Sequence, residues 1–235
     1  MHTNASDGFY SVQVVLEHIA QRTQLNVVAI TDHDTLDASL WAYEHQHLYP
    51  FEIVPGVEVS SRGGHILALW VTSPIPPRMS LEETVAAIHE QGGVAIIAHP
   101  YEMLVSLEAV RRYLREPQVL KASGLDAIEV HNAGTPTPGN NWLARRVATQ
   151  LNMTMVGNSD AHSVGSIGSG VTRFAGTTAA DLRQAILSGQ TMAEGVAWPI
   201  SDYLRILPGS TKRKATGIAA SAVNYRPRRL RIRRS

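Results

Sequence analysis

The chain has 235 residues, 44% of them hydrophobic and 17% charged, with a formal net charge of +1. It has no cysteine, which excludes disulfides and thiolate metal sites and leaves any metal to nitrogen and oxygen ligands. One sizeable core is expected, no apolar run approaches a membrane span, and Met1 leads at once into His2-Thr3-Asn4 with no signal-like segment, so a cytoplasmic protein making no membrane contact is the expectation.

In chain order, residues 11–22 carry Val14, Val15, Leu16 and Ile19 at helical spacing. The first strand expected is 26–30, and it runs into Thr31-Asp32-His33-Asp34. A second, 52–54, leads to Pro55-Gly56-Val57-Glu58. Gly63-Gly64 reads as a hairpin turn before a strand at 65–71 that opens on His65. Ser80 and Glu83 form a capping box for a helix that stops at Gly92-Gly93. The strand at 94–98 ends in His99-Pro100, a helix follows at 106–114, and a strand at 127–130 ends in Glu129-Val130-His131. A helix at 140–151 precedes a strand at 153–156, which leads to Ser159-Asp160-Ala161-His162. Thr178 and Asp181 cap a last helix, 178–187, with Gly189 just beyond it. Strands alternating with helices argue an α/β fold with its site at the strand C-terminal ends.

The small net charge hides an asymmetry. Every acid lies at or before Asp202, whereas ten Lys/Arg and no acid follow from Arg205 onward. Residues 1–207 are read as the folded domain and 208–235 as a basic, poorly ordered tail. Such a tail is suited to weak, nonspecific contact with nucleic acid.

Asp, Glu and His at the ends of buried strands lose hydration unless something cationic holds them. Their repetition at one strand end after another points to a site with more than one metal ion. Glu58 offers two oxygens and suits a bridging role. The donor set suits Mn, Fe or Zn, and spacing alone does not choose among them.

The ordered set His2-Thr3 with Ser6-Asp7-Gly8, then Thr31-Asp32-His33-Asp34, Pro55-Gly56-Val57-Glu58, Ala98-His99-Pro100 and Ser159-Asp160-Ala161-His162 resembles the motifs of the PHP (polymerase and histidinol phosphatase) metallohydrolases. The likeness covers roughly residues 1–190. It is nearest to the bacterial group that includes nucleoside 3′,5′-bisphosphate phosphatases, although the insertion usual there before Ala-His-Pro is absent. The resemblance implies a distorted seven-stranded β/α barrel and two or three divalent ions. One would be held by His2, Glu58 and Asp160, a second by Glu58, His65 and His99, and a third by Asp7, His33 and His162. It further implies a phosphomonoesterase in which a hydroxide between two ions attacks phosphorus, with Asp160, His162 and Glu58 as the catalytic groups. The substrate would be a small phosphorylated molecule, a nucleotide or an oligonucleotide end.

Two departures from the pattern matter. The family's His-x-His pair is represented by His2 alone, so its partner and the first barrel strand are missing; a misassigned start is the favoured explanation. An arginine that several relatives carry after Ala-His-Pro is replaced by Tyr101-Glu102. Arg62, Arg173 and His131 are the remaining candidates for substrate contact. The competing functions are an ester or carbamate hydrolase on the same metal site and an inactive, nucleic-acid-binding homologue.

Overall fold

In the computed structural model, which describes residues 1–206, six strands join one curled sheet. They are β1 (Val27–Ile30), β2 (Glu52–Ser61), β3 (Gly64–Leu69), β4 (Val94–Ile97), β5 (Ala127–Asn132) and β6 (Thr154–Asn158), paired in that order. β1 and β2 are parallel, β3 is antiparallel to both β2 and β4, and β4, β5 and β6 run parallel. β7 (Gly170–Phe174) and β8 (Thr191–Gly195) form a separate antiparallel pair. The expected barrel of seven strands is thus a six-stranded curl plus a two-stranded ribbon among the described residues.

Strand parity sets what points inward. Along β2 to β5, Val57, Val59, Ile66, Ala68, Ala95, Ile97, Ile128 and Val130 belong to a core under the outer helices. The alternate residues Val54, Leu67, Leu69, Val94, Ile96, Ala98 and Ala127 form an inner cluster with Val156 and Ile186. Glu58 and Glu129 fall on the inner parity, so the alternation that buries the outer core also sends two carboxylates into the curl.

The outer layer comprises α1 (Val12–Arg22), α2 (Asp37–Glu44), α3 (Leu81–Glu90), α4 (Leu107–Arg115), α5 (Gln118–Ala122) and α6 (Asn140–Leu151). α1 and α2 bury Val15, Leu16, Ile19 and Ala42 against β1 and the start of β2. Both halves of the capping box at Ser80 and Glu83 form, and Thr178 and Asp181 do the same for α7 (Ala179–Leu187). α7 places Ile186 in the inner cluster, with Ala179 and Leu182 packed on it.

Inside the curl lies a cavity of about 140 Å³. Val27, Ala29, Leu69, Ile96, Val156 and Leu182 line its apolar part, and Glu58 and Asp160 face it at the site end. β1 and β6 are the outer strands of the sheet. The first two residues span the gap past their ends: Thr31 N–H donates to Met1 O (2.9 Å) and His2 N–H to Ala161 O (2.8 Å).

Two compact units divide the chain, Met1–Pro199 and Ile200–Ser235. The second is described only as α8 (Ile200–Ile206). The expected boundary at 207/208 and the basic tail lie outside the described residues. No helix among those described is long and apolar enough to cross a membrane.

Candidate metal centre

The chain's first turn is anchored by Asp32, which is fully buried at the end of β1. Its carboxylate accepts Thr3 N–H (2.7 Å), Thr3 Oγ1–H (2.7 Å) and Ser6 Oγ–H (2.6 Å), holding the loop that carries His2 and Asp7. Gly8 closes that loop. A Cβ there would lie 2.5 Å from His2 O, so only glycine lets the chain pass.

Glu58 sits where β2 changes partners. Residues 52–55 pair with β1 and residues 56–61 with β3, and an isolated bridge joins His33 to Glu58. The carboxylate is buried, and its two oxygens face different histidines. Oε2 lies 3.2 Å from His2 Nε2, while Oε1 lies 2.7 Å from His65 Nδ1 and 3.3 Å from His99 Nε2. His2 Nε2 is also 3.1 Å from Asp160 Oδ1. On the other side Asp7 Oδ2 is 3.1 Å from His162 Nε2 and 3.8 Å from His33 Nε2, and Asp7 Oδ1 is 3.5 Å from His2 Nδ1.

The structure therefore brings together His2, Asp7, His33, Glu58, His65, His99, Asp160 and His162. Three overlapping sets have geometry that could hold an ion: His2, Asp7, His33 and His162; His33, Glu58 and His65; His2, Glu58 and Asp160. His2, His33 and Glu58 each belong to two sets. His99 meets the cluster through Glu58 Oε1.

The fit to divalent ions rests on the donors themselves. Ligands about 2.0–2.1 Å from a tetrahedral ion lie roughly 3.3 Å from one another, the spacing seen around Glu58. Buried ring nitrogens of His2, His33 and His99 (Nδ1 in each) have no hydrogen-bond partner. Without an ion the cluster neutralises itself with protons. Burial opposes charge on His2, but Asp160 and Glu58 outweigh it and push the imidazole up to about 10. His99 is raised to about 9, with burial opposed by Glu58 and more distant carboxylates. Burial raises the carboxylates of Glu58, Asp7 and Asp160, yet the facing histidines prevail and hold all three well below the usual range.

Two of these residues occupy left-handed backbone, His99 at φ 29° and Asp160 at φ 48°, a conformation that non-glycine residues hold only when the surroundings enforce it. Trp198 helps to fix the loop after β6: its Nε1–H donates to Ser159 O (2.6 Å) and its ring meets His162 edge-on at 5.6 Å.

The three candidates for substrate contact are placed elsewhere. Arg173 is exposed on β7 and engaged by Glu194 across the ribbon. Arg62 is exposed in the turn between β2 and β3, its backbone N–H bonded to Met79 O. His131 lies under β7 and β8, where a Cβ on Gly195 would come within 2.5 Å of its Nε2. The cause is a register shift in β5. Glu129 opposes Val156 and His131 opposes Gly157, so the two-residue alternation breaks between them.

Reading the sequence missed the support around the ligands: Asp32 as anchor, Trp198, and the pair Asn132 and Asn158, which bond Glu129 Oε2 (3.1 Å) and Oε1 (2.8 Å). Glu129, within β5, is also buried, and burial first of all raises its carboxyl to about 7.

Residues 138–191 match a family model described as PHP-associated. An uncharacterised protein of Methanocaldococcus jannaschii is 34% identical over 115 residues, which is 49% of this chain and 63% of that protein. A 5′-3′ exoribonuclease of Haemophilus influenzae is 34% identical over 103 residues, 40% of this chain and 36% of the exoribonuclease. The chain thus spans less than two thirds of the length of these relatives. Among solved structures, a two-domain protein from Bacteroides vulgatus containing a predicted PHP-like metal-dependent phosphoesterase superposes with TM-score 0.69 at 18% identity, over 83% of this chain and 63% of that one. The lesion-specific endonuclease EndoQ from Pyrococcus furiosus superposes with TM-score 0.56 at 16% identity, over 80% of this chain and 54% of that one. At such identities the likeness is one of fold.

Proposed function

We propose that the chain is a metal-dependent phosphoesterase acting on small phosphomonoesters, nucleotides or oligonucleotide ends, with two or three divalent ions (Mn, Fe or Zn). The observation that carries this reading is the sharing of one buried carboxylate: Glu58 presents one oxygen to His2 and the other to His65 and His99. Bound ions supply Lewis acidity toward the phosphoryl oxygens and an activated water. The protein's own part is placement. Glu58 fixes the two sides of the site relative to each other. Asp160 orients the attacking water and accepts its proton. His162 and Asp7 frame the position from which the leaving oxygen is assisted.

Among these substrates, hydrolysis at nucleic-acid ends has support of its own. It is favoured by the exoribonuclease relative and by the run of basic residues from Arg205 onward. A panel of a mononucleotide, a nucleoside 3′,5′-bisphosphate and a 5′-phosphorylated oligonucleotide, assayed with Mn²⁺ and after chelation, tests both. Metal-dependent release of phosphate or nucleotide is expected, and Glu58→Gln is expected to reduce it more than any single histidine change. Substoichiometric metal that reconstitution does not restore, or a Glu58→Gln variant that keeps most of its turnover, would sink the reading.

A further inference from the structure

Glu129 is 1% exposed on the inner face of β5 and belongs to none of the three donor sets. Its partners are N–H groups. Oε2 accepts the backbone N–H of His99 at 2.6 Å and Asn132 Nδ2–H at 3.1 Å, and Oε1 accepts Asn158 Nδ2–H at 2.8 Å. The same Asn132 amide donates its other hydrogen to Asp160 Oδ2 at 3.1 Å. Asn132 is itself pinned. Its Oδ1 accepts Gly134 N–H (2.8 Å), its backbone N–H donates to Asn141 Oδ1 (3.0 Å), and its carbonyl accepts Asn141 Nδ2–H (2.9 Å).

One carboxylate therefore holds both members of the cluster that sit in left-handed backbone. His99 is held directly through its own amide, and Asp160 through one intervening side chain. Left-handed φ at a residue other than glycine persists only when neighbouring contacts over-determine it, and these contacts do so here. His99 also precedes Pro100, which further narrows its conformations. An amide in place of the carboxylate exchanges charge-assisted hydrogen bonds for weaker neutral ones. A glutamine turned with its oxygen toward His99 and Asn132 presents its NH₂ to Asn158, which can accept it only by reversing its own amide.

We propose that Glu129 is a positioning residue that presets His99 and Asp160 for metal binding, with Asn132 as the relay to Asp160. This rests on the reading of the cluster as a metal centre. Groups behind metal ligands typically change affinity by about 10–100-fold when altered. A role confined to joining β5 to β6 would instead appear in the stability of the metal-free protein and leave affinity alone.

The test is calorimetric titration of metal-free, full-length protein with Mn²⁺, beside its thermal midpoint and the amide exchange of residues 97–102. Glu129→Gln and Asn132→Ala should each weaken binding by about 10–100-fold. The double variant should be little worse than either, because both lie on one path. Exchange at His99 should accelerate in Glu129→Gln and not in Asn132→Ala. If Glu129→Gln does not fold, Asn132→Ala decides, since it leaves the His99 bond in place and removes only the relay. Unchanged affinity in the variants that fold, or full additivity in the double variant, would overturn the proposal. Wild-type protein that takes up no ion would overturn the metal-centre reading together with it, whereas equal tight binding by wild type and variants overturns this proposal alone.

Discussion

His2 and His99 carry protons in the metal-free cluster that any ion must displace, because imidazole binds metal only when neutral. With values near 10 and 9, both are charged at neutral pH. Metal uptake is therefore expected to release about two protons, and Mn²⁺ affinity to climb by up to about a hundredfold per pH unit below pH 9. Titration in two buffers of different ionisation enthalpy measures the release; none detected would mean that these histidines are not the ligands. The same raised values have the opposite consequence for the metal-free fold. Stability gained from protonated His2 and His99 is full below pH 6.5 and fades as pH rises through 9 and 10, so the thermal midpoint should fall across that window. A second prediction at this scale concerns Gly8. Gly8→Ala forces His2 O to move and should cost metal affinity more than it costs fold, read as weaker Mn²⁺ binding by protein of near-native circular dichroism. His33, Glu58, His99, Asp160 and His162 could be read from sequence because each is a titratable residue just past an apolar run; His2 and Asp7 follow none and came only with the family resemblance, and His65 opens its strand. Asp32 and Glu129 also stand at strand ends in the sequence, but their roles, like that of Trp198, could not be read there, since each is set by a partner about 30 or more residues away: Thr3, His99 and Ser159.

At the scale of elements, local signals were legible where side chains cap their own helices. Ser80 with Glu83 and Thr178 with Asp181 make both reciprocal bonds. Ser80→Ala should cost about 1 kcal/mol and lower the thermal midpoint by about 2–4 °C without changing metal affinity. A melting curve checks this, and an unaltered midpoint would show that the cap adds nothing in this context. Other elements gave little to read. α2 begins after Leu36, which makes no side-chain cap bond. β7 and β8 are short and half-exposed, with no apolar run. Pro55-Gly56 reads as the end of a strand, yet β2 runs on to Ser61. The pair marks the change of partner from β1 to β3, a tertiary event that no local pattern encodes.

For the whole molecule, the alternation of strands and helices was enough to place the cluster at the strand ends of an α/β fold, but the curl of the sheet depends on pairings far apart in the chain. Met1 and His2 reach only the upper end of the gap between β1 and β6. An apolar, strand-forming extension ending in Asp-Leu-His, joined ahead of Met1, is expected to raise both the thermal midpoint and Mn²⁺ affinity. It would pair the outer edge of β1 and bring one more imidazole to the cluster; no gain in either quantity would count against that geometry. The cavity within the curl carries one more consequence. It opens to solvent, and a cleft that water enters leaves little empty volume to be lost on unfolding. Hydrostatic pressure should therefore shift unfolding only modestly, and Ala29→Val, which adds bulk to the cavity wall, should leave the pressure transition nearly unchanged. A large shift with Ala29→Val would show instead that the curl encloses dry space, independently of any ion or substrate at its rim.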